Sequence, residues 1–288
     1  MEDNLTKNIQ MMGIINRTPD SFSDRGNSLD ESFFKNQLSS FLKTQSLILD
    51  IGFESTAPMN KAISLEEEWR RFELFLEATK DFQFNSRQVS FDTYKIENFL
   101  KMKEAFLKIH PKVSLILNDV SGVLDKDLMN LISSHKNQKL TYIYTFTHIP
   151  SRDLVLKHME YVHRDKSNSV LERCLKAFKD ASTFYKKYDE NVQLILDPGF
   201  GFSKSYDENW TLIDHFSLLL DGLEKEGLDH SLLIGLSKKS FLKKFCQTEN
   251  TQTIENLHKQ ILQKMINENK FNRKLIFRAH DPQILGDF

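Results

Sequence analysis

Short apolar runs in this chain end, one after another, in a side chain that can ionise or hydrogen-bond. In order these are Asn16, Asp50 followed by Glu54, Asp92, Asn118 with Asp119, His148, Asp197, Ser237 with Lys238 and Lys239, and finally Arg278, His280 and Asp281. A single such residue is ordinarily a helix cap or a turn-former, since Asp and Asn are common caps. Capping does not explain a lysine pair after one run or Arg-x-His-Asp after another. Asp92 and Asp197 offer acceptor oxygens, Asn118 a donor and an acceptor, and Lys239 and Arg278 fixed positive charge. A carboxylate beside an amide suits a flat heterocycle with an amidine-like edge. Arg278, His280, Asn16 and nearby backbone amides suit a phosphate or pyrophosphate, with or without Mg2+. Residue types and spacing alone therefore point to a site for a polar ring and an anion.

Residues so far apart meet only if the elements between them bring one end of every run to one place. The runs are short, apolar on consecutive positions and rich in Ile, Leu and Val, as in strands buried on both faces. They cover Gln10–Ile15, Ser46–Ile51, Gln88–Phe91, Val113–Leu117, Leu140–Phe146, Val192–Leu196, Ser231–Leu236 and Lys274–Ala279. Between them lie amphipathic segments at Leu29–Thr44, Ser64–Lys80, Lys95–Ile109, Lys126–His135, Ser167–Lys187, Asp207–Glu226, and Lys239–Phe245 with Thr251–Asn269. Ser64 with Glu67 three positions on predicts a capping box. The alternation predicts an α/β chain folded as one (β/α)8 TIM barrel over residues 1–288, with an open doubly wound sheet as the alternative. Only Asp281–Phe288 follow the last run, so the terminal helix is expected to be short or missing. In a parallel barrel the strand exits share one face.

The first exit carries the most turn chemistry. Pro19 cannot donate to a ladder and disfavours helical angles at Thr18, so the strand stops at Asn16. Asp20, Asp24, Ser21, Ser23 and Phe22 follow in one polar loop.

Composition narrows the partners. The chain has 288 residues, 40% hydrophobic and 27% charged, with a formal net charge of −1, so neither a polyanion-binding surface nor an acidic tail is expected. No apolar run approaches the roughly 20 residues of a membrane-spanning helix. The start of the chain has no signal-peptide core, and Cys174 and Cys246 have neither metal nor redox spacing, so a cytoplasmic protein with reduced thiols is expected. Gly199-x-Gly201 lacks the rest of a dinucleotide fingerprint, and His158 and His163 are wrongly spaced for one helical metal face. Lysine-rich helices without interleaved aromatics give no reason to expect nucleic acid.

Seven blocks, in order, resemble the dihydropteroate synthase family. They are Gly-Ile-Ile-Asn-Arg-Thr-Pro-Asp-Ser-Phe-Ser-Asp (13–24), Leu-Asp-Ile-Gly-Phe-Glu-Ser-Thr-Ala-Pro (49–58), Ser-Phe-Asp-Thr-Tyr-Lys (90–95) and Leu-Asn-Asp-Val-Ser-Gly (117–122). Leu-Asp-Pro-Gly-Phe-Gly-Phe-Ser-Lys (196–204), Gly-Leu-Ser-Lys-Lys-Ser-Phe (235–241) and Phe-Arg-Ala-His-Asp (277–281) complete the set. The resemblance implies a (β/α)8 transferase that joins p-aminobenzoate to 6-hydroxymethyl-7,8-dihydropterin diphosphate, releases pyrophosphate and forms 7,8-dihydropteroate. It implies that Asp92, Asn118, Asp197 and Lys239 hold the pterin. Asn16, Arg278 and His280 would take the diphosphate, Asn16 also through Mg2+. Phe202 and Ser240 would flank the aminobenzoate, with Thr56 also at the substrates. Thr18, Pro19, Asp20, Ser21, Phe22 and Asp24 would form a closing loop.

The chain departs from the family pattern in three places. Ala57 stands where the family's Glu-Ser-Thr-Arg-Pro-Gly has an arginine toward the diphosphate, and Met59 replaces the glycine. Losing such a cation costs about 2–4 kcal/mol in a transition state, by analogy with an oxyanion donor. Lys238 replaces an arginine, which keeps charge but loses bidentate bonding. The family's homodimer forms through helices near the C-terminal end, so a homodimer weakened by the short C-terminus is expected. Arg17, beside Asn16, is the candidate replacement for the missing arginine. The alternatives are a weakly active or non-catalytic pterin-binding homologue, and a pterin barrel of the methyltetrahydrofolate methyltransferase type.

Overall fold

A computed structural model describes residues 8–17, 31–43, 48–57, 60–84, 87–135, 140–163, 168–189 and 192–281. Eight parallel strands pair in sequence order and close on themselves. They are β1 (Ile9–Asn16), β2 (Ile48–Gly52), β3 (Gln88–Asp92), β4 (Ser114–Asp119), β5 (Thr141–Thr145), β6 (Gln193–Asp197), β7 (Ser231–Ile234) and β8 (Leu275–Ala279). Closure is made by β1 against β8, with Met12 opposite Arg278 and Gly13 opposite Ala279. The barrel alternative is thereby settled over the open sheet. The terminal segment after Asp281 lies outside the described residues.

Helices α1 (Glu31–Lys43), α2 (Leu65–Thr79), α3 (Ile96–Ile109), α4 (Lys126–Ser134) and α5 (Val170–Tyr188) follow the first five strands in turn. The expected helix over 207–226 is two, α6 (Tyr206–Asp214) and α7 (Phe216–Lys225), separated by His215 at φ −111°, ψ 31°. Helices α8 (Ser240–Cys246) and α9 (Thr251–Glu268) lie between β7 and β8. A 3-10 segment, Arg152–Tyr161, follows β5 without having shown any helical period in the sequence. Arg152 anchors it, bonding to Asp119, to Asp125 at 2.6 Å and to the Val123 carbonyl at 2.8 Å.

Side chains alternate across each strand, and this decides which polar residues face the site. Met12, Ile48, Ile116, Ile143, Ile195, Leu233 and Ile276 pack together as the inner layer. Counting in twos from that layer places Asn16, Asp50, Gly52, Asn118, Asp197 and Arg278 on the inward face, and Asp92 joins them as the register partner of Gly52. The alternate positions on each strand pack outward against the helices. There Phe34, Phe53, Phe72, Phe75, Phe91 and Phe106 are fully buried around α1–α3, with ring centroids 5.5 to 6.4 Å apart. Each such edge or stacked pair adds about 0.5–1.5 kcal/mol beyond its burial.

The Ser64 cap is only half of the expected box. Ser64 Oγ accepts from the Glu67 N–H at 3.2 Å, but the Glu67 carboxylate turns to Arg70 at 2.8 Å and Arg71 at 2.7 Å. Reciprocal boxes form instead at Ser169–Glu172 and Ser205–Glu208, opening α5 and α6.

Candidate active site

At the C-terminal end of the barrel the inward residues form a charge-paired row. Asp50, with no solvent exposure, accepts from Arg278 Nε at 2.7 Å and from Asn118 Nδ2 at 3.2 and 3.3 Å. The Arg278 guanidinium also reaches Asp92, with Nη2 2.6 Å from Oδ2. One arginine from the last strand thus bridges carboxylates on the second and third. Fork geometry suits guanidinium to that role and would not suit lysine.

This pairing leaves particular atoms for a ligand. Asn118 has its amide nitrogen on Asp50, while its Oδ1 is buried without a partner in the structure. The amide therefore offers an acceptor, where the sequence alone allowed either role. Asp92 is pushed up to about 7, first by burial and then by the Asp50 charge, with Arg278 and Lys239 opposing. Asp197 is raised by burial, offset by the Gly199 N–H at 2.7 Å and by Lys239, Arg278 and Lys204. Burial, and then the charge of Arg278, lower Lys239 to about 8. Its Nζ lies 4.3 Å from the centre of the half-buried Phe202 ring. Ser90 Oγ and Thr145 Oγ1, inward by alternation, are buried and unpartnered as well.

The second end is built on β1, β7 and β8. A Cβ at Gly52 would stand 3.1 Å from Asn16 Oδ1, so the absent side chain keeps open the space beside that oxygen and Asp92. His280 places Nδ1 3.1 Å from Ser237 Oγ, and burial with Lys238, Arg278 and Lys239 nearby drives its pKa well down. Ser240 opens α8 from an exposed position one residue after Lys239.

Several polar residues at strand exits serve the scaffold. Asp119 falls on the outward alternation, accepting from Tyr142 OH at 2.6 Å and Ser121 N–H at 2.9 Å. Glu54 accepts from Lys95 Nζ at 2.7 Å and the Ile63 N–H at 2.9 Å, which ties down the loop after β2. His148 bonds the β6 loop, with Nδ1 3.1 Å from the Ser203 carbonyl. Arg17 corrects an expectation. It is 2% exposed, lies on the outward alternation, and its guanidinium carbon sits 4.6 Å from the Phe34 ring centre. Its side chain packs toward α1 instead of joining Asn16. Ala57 and Thr56 are half-buried in the loop after β2. Thr18, Pro19, Asp20, Ser21, Phe22 and Asp24, with Pro58 and Met59, lie outside the described residues.

Two site-building residues were not singled out in the sequence. Asp50 was grouped with Glu54, yet two steps inward from Ile48 would have separated them. Lys204 closes the last residue of its motif; it is 1% exposed and donates to the carbonyls of Phe146 at 2.7 Å and of Gly199 and Phe202 at 3.0 Å each. A Cβ at Gly199, φ 67°, would come within 2.3 Å of that Phe146 carbonyl, so this turn admits only glycine without rearrangement.

A closed parallel barrel whose strand ends present paired carboxylates, a buried amide acceptor and a lysine over an aromatic ring is a barrel enzyme for a polar ring. Residues 12–267 match the family described as "Pterin binding enzyme". The chain belongs to that family. It is 32% identical over 243 residues to the dihydropteroate synthase of Clostridium beijerinckii, covering 84% of this chain and 78% of that protein. It is 31% identical to a mitochondrial folate synthesis bifunctional protein of Pisum sativum, covering 82% of this chain but 44% of the longer one. In fold it resembles Xanthomonas albilineans dihydropteroate synthase solved with 4-aminobenzoic acid, with TM-score 0.75 and 23% identity over 98% of this chain and 90% of that one. It is a transferase of the dihydropteroate synthase type.

Proposed function

We propose that this chain, acting as one pterin-binding unit over its length, condenses 6-hydroxymethyl-7,8-dihydropterin diphosphate with p-aminobenzoate. The C–O bond to the diphosphate breaks, the aminobenzoate nitrogen bonds to the pterin methylene carbon and loses a proton, and pyrophosphate departs. The observation that carries this reading is the inward row in which Arg278 bridges Asp50 and Asp92 while Asn118 Oδ1 and Asp197 remain available.

The row suits the donor-rich edge of a pterin. Asp92, poised at about 7 without ligand, would be fixed as the anion by ring N–H donors. Asn118 Oδ1 would accept another. As the C–O bond lengthens, positive charge on the ring faces Asp92 and Asp197, and a preorganised field of that sign lowers the barrier. Lys239, 4.3 Å from Phe202, joins the pterin site to the side where the aminobenzoate ring would lie, flanked by Phe202 and Ser240, with Thr56 also contacting substrate. Arg278 and His280 would face the leaving diphosphate beside Asn16.

Among the described residues no group of three or more His, Cys, Asp or Glu could hold a metal. A Mg2+ ion fits differently. Asn16 Oδ1 is an oxygen donor beside the space left by Gly52, and the diphosphate with water would complete the shell, as that ion prefers. Bound there, it would neutralise charge on the leaving diphosphate. The family homodimer is part of the same proposal.

A pyrophosphate-release assay with the dihydropterin diphosphate tests the reading. Release that depends on p-aminobenzoate is expected; tight pterin binding without release would sink it. A second reading, a weakly active pterin-binding homologue, draws on Ala57 together with the outward packing of Arg17 over Phe34. Under the synthase reading Ala57→Arg raises kcat about 30-fold or more by restoring a charge-assisted donor worth about 2–4 kcal/mol. An unchanged kcat in that variant would remove Ala57 as the limit on turnover.

A further inference from the structure

The loop that carries Phe202 is held by groups outside the carboxylate row. Two histidines reach the backbone of one residue, Ser203. His148, just past β5, places Nδ1 3.1 Å from the Ser203 carbonyl oxygen. A carbonyl can only accept, so that nitrogen carries the proton. His158, from the 3-10 segment, accepts at Nδ1 from the Ser203 N–H at 3.3 Å. With Nδ1 accepting, the neutral ring carries its proton on Nε2. The rings are therefore held in opposite tautomers, assigned by their partners.

Ser203 needs such support. It is a non-glycine residue at φ 49°, a left-handed conformation that costs an L-residue energy and persists where its surroundings over-determine it. Its hydroxyl is buried without a partner in the structure, so the turn is not held by its own side chain. Phe202, the preceding residue, stands between the His158 ring at 4.7 Å and Lys239 Nζ at 4.3 Å.

We propose that His148 and His158 are positioning residues that clamp Ser203 in its left-handed conformation and thereby fix Phe202 as the aromatic wall of the aminobenzoate subsite. The inference rests on the role given to Phe202 above. Burial, then Lys204, with Arg173 also adding positive charge and Glu208 opposing, takes His148 down to about 4; the His163 ring lies 5.5 Å away. His158 is lowered to about 4 by burial, then by Lys239 and Lys204. A protonated His148 keeps its bond to the Ser203 carbonyl. A protonated His158 turns an N–H against the Ser203 N–H and opens the clamp, so its acid sensitivity resides in His158.

The test places 4-fluorophenylalanine site-specifically at Phe202 and follows its fluorine resonance alongside substrate affinities. With His158→Leu the resonance moves toward the solvent-averaged position, and KM for p-aminobenzoate rises about tenfold, the scale of one lost buried hydrogen bond with its orphaned partner. The dissociation constant of the pterin diphosphate stays unchanged. His158→Gln, which retains an acceptor and a donor, recovers much of the loss. Ser203→Gly added to His158→Leu recovers part of it, because glycine accepts positive φ without penalty. An unmoved resonance, equal weakening of both substrates, or no effect of Ser203→Gly would each overturn the clamp. A responsive resonance in a protein that binds no p-aminobenzoate would instead overturn the subsite reading and leave the clamp standing.

Discussion

The two walls of the site are held by different physics. The deep row on β2, β3, β4 and β8 is strand-borne and ionic, with Asp50, Asp92 and Arg278 paired at 2.6 to 2.7 Å. The outer wall around Phe202 is loop-borne and held by backbone hydrogen bonds from two neutral histidines and the buried Lys204. Ions brought together inside a barrel depend on one another, because removing one partner strands the rest. Hydrogen bonds to loop backbone fail one at a time. Recognition of the ring is therefore expected to be lost abruptly, and recognition of the second substrate gradually.

The largest break in that contrast is Arg278→Met. It leaves Asp50 and Asp92 without the guanidinium that bridges them and should destabilise the fold by about 3–5 kcal/mol, as for other broken buried pairs. Urea denaturation measures this, and pterin affinity should vanish with it. Lys204→Met acts on the other wall. It removes one donor shared by three buried carbonyls, at about 2–3 kcal/mol. A fold as stable as the parent's in urea would contradict the part assigned to Lys204.

The smallest change sharpens the contrast through pH. The Asp92 carboxyl is higher in the fold, at about 7, than its ordinary 3.8. A raised acid stabilises the native state below its unfolded pKa, and that contribution is lost as pH rises through the folded value. Asp92→Asn keeps an acceptor for Arg278 and cannot ionise. Its melting temperature relative to the parent should climb by a few degrees between pH 4 and pH 8, while pterin binding falls. A difference that stays flat with pH would refute the assigned burial of charge at Asp92.

The barrel was legible because each strand is a short apolar run with turn chemistry at its exit, and local pattern alone encodes that. The inward row was mostly legible too. Asn16, Asp92, Asn118, Asp197 and Arg278 all fall on the inward alternation, and only their pairing was hidden. Where two polar residues stand together at an exit, composition cannot choose between them, although alternation can. Asn118 lies two positions beyond the inner-layer Ile116, whereas Asp119 falls on the other face. The same count sets Arg17 outward, against the part first expected of it. His158 was beyond reach for another reason. Its contacts are made across space from a segment without periodicity, to loops whose conformations depend on it.

The pairing of Arg278 with Asp50 and Asp92 spans 228 and 186 residues of sequence. A growing polypeptide therefore makes both acids long before it makes the base that reconciles them. Until the last strand seats itself between β7 and β1, the entrance holds two like charges in search of a counterion. A ligand that needs the finished trio can bind only the completed ring, and its binding adds stability to that state alone. Substrate in the cell would then act as a late inspector of assembly, favouring chains that have closed.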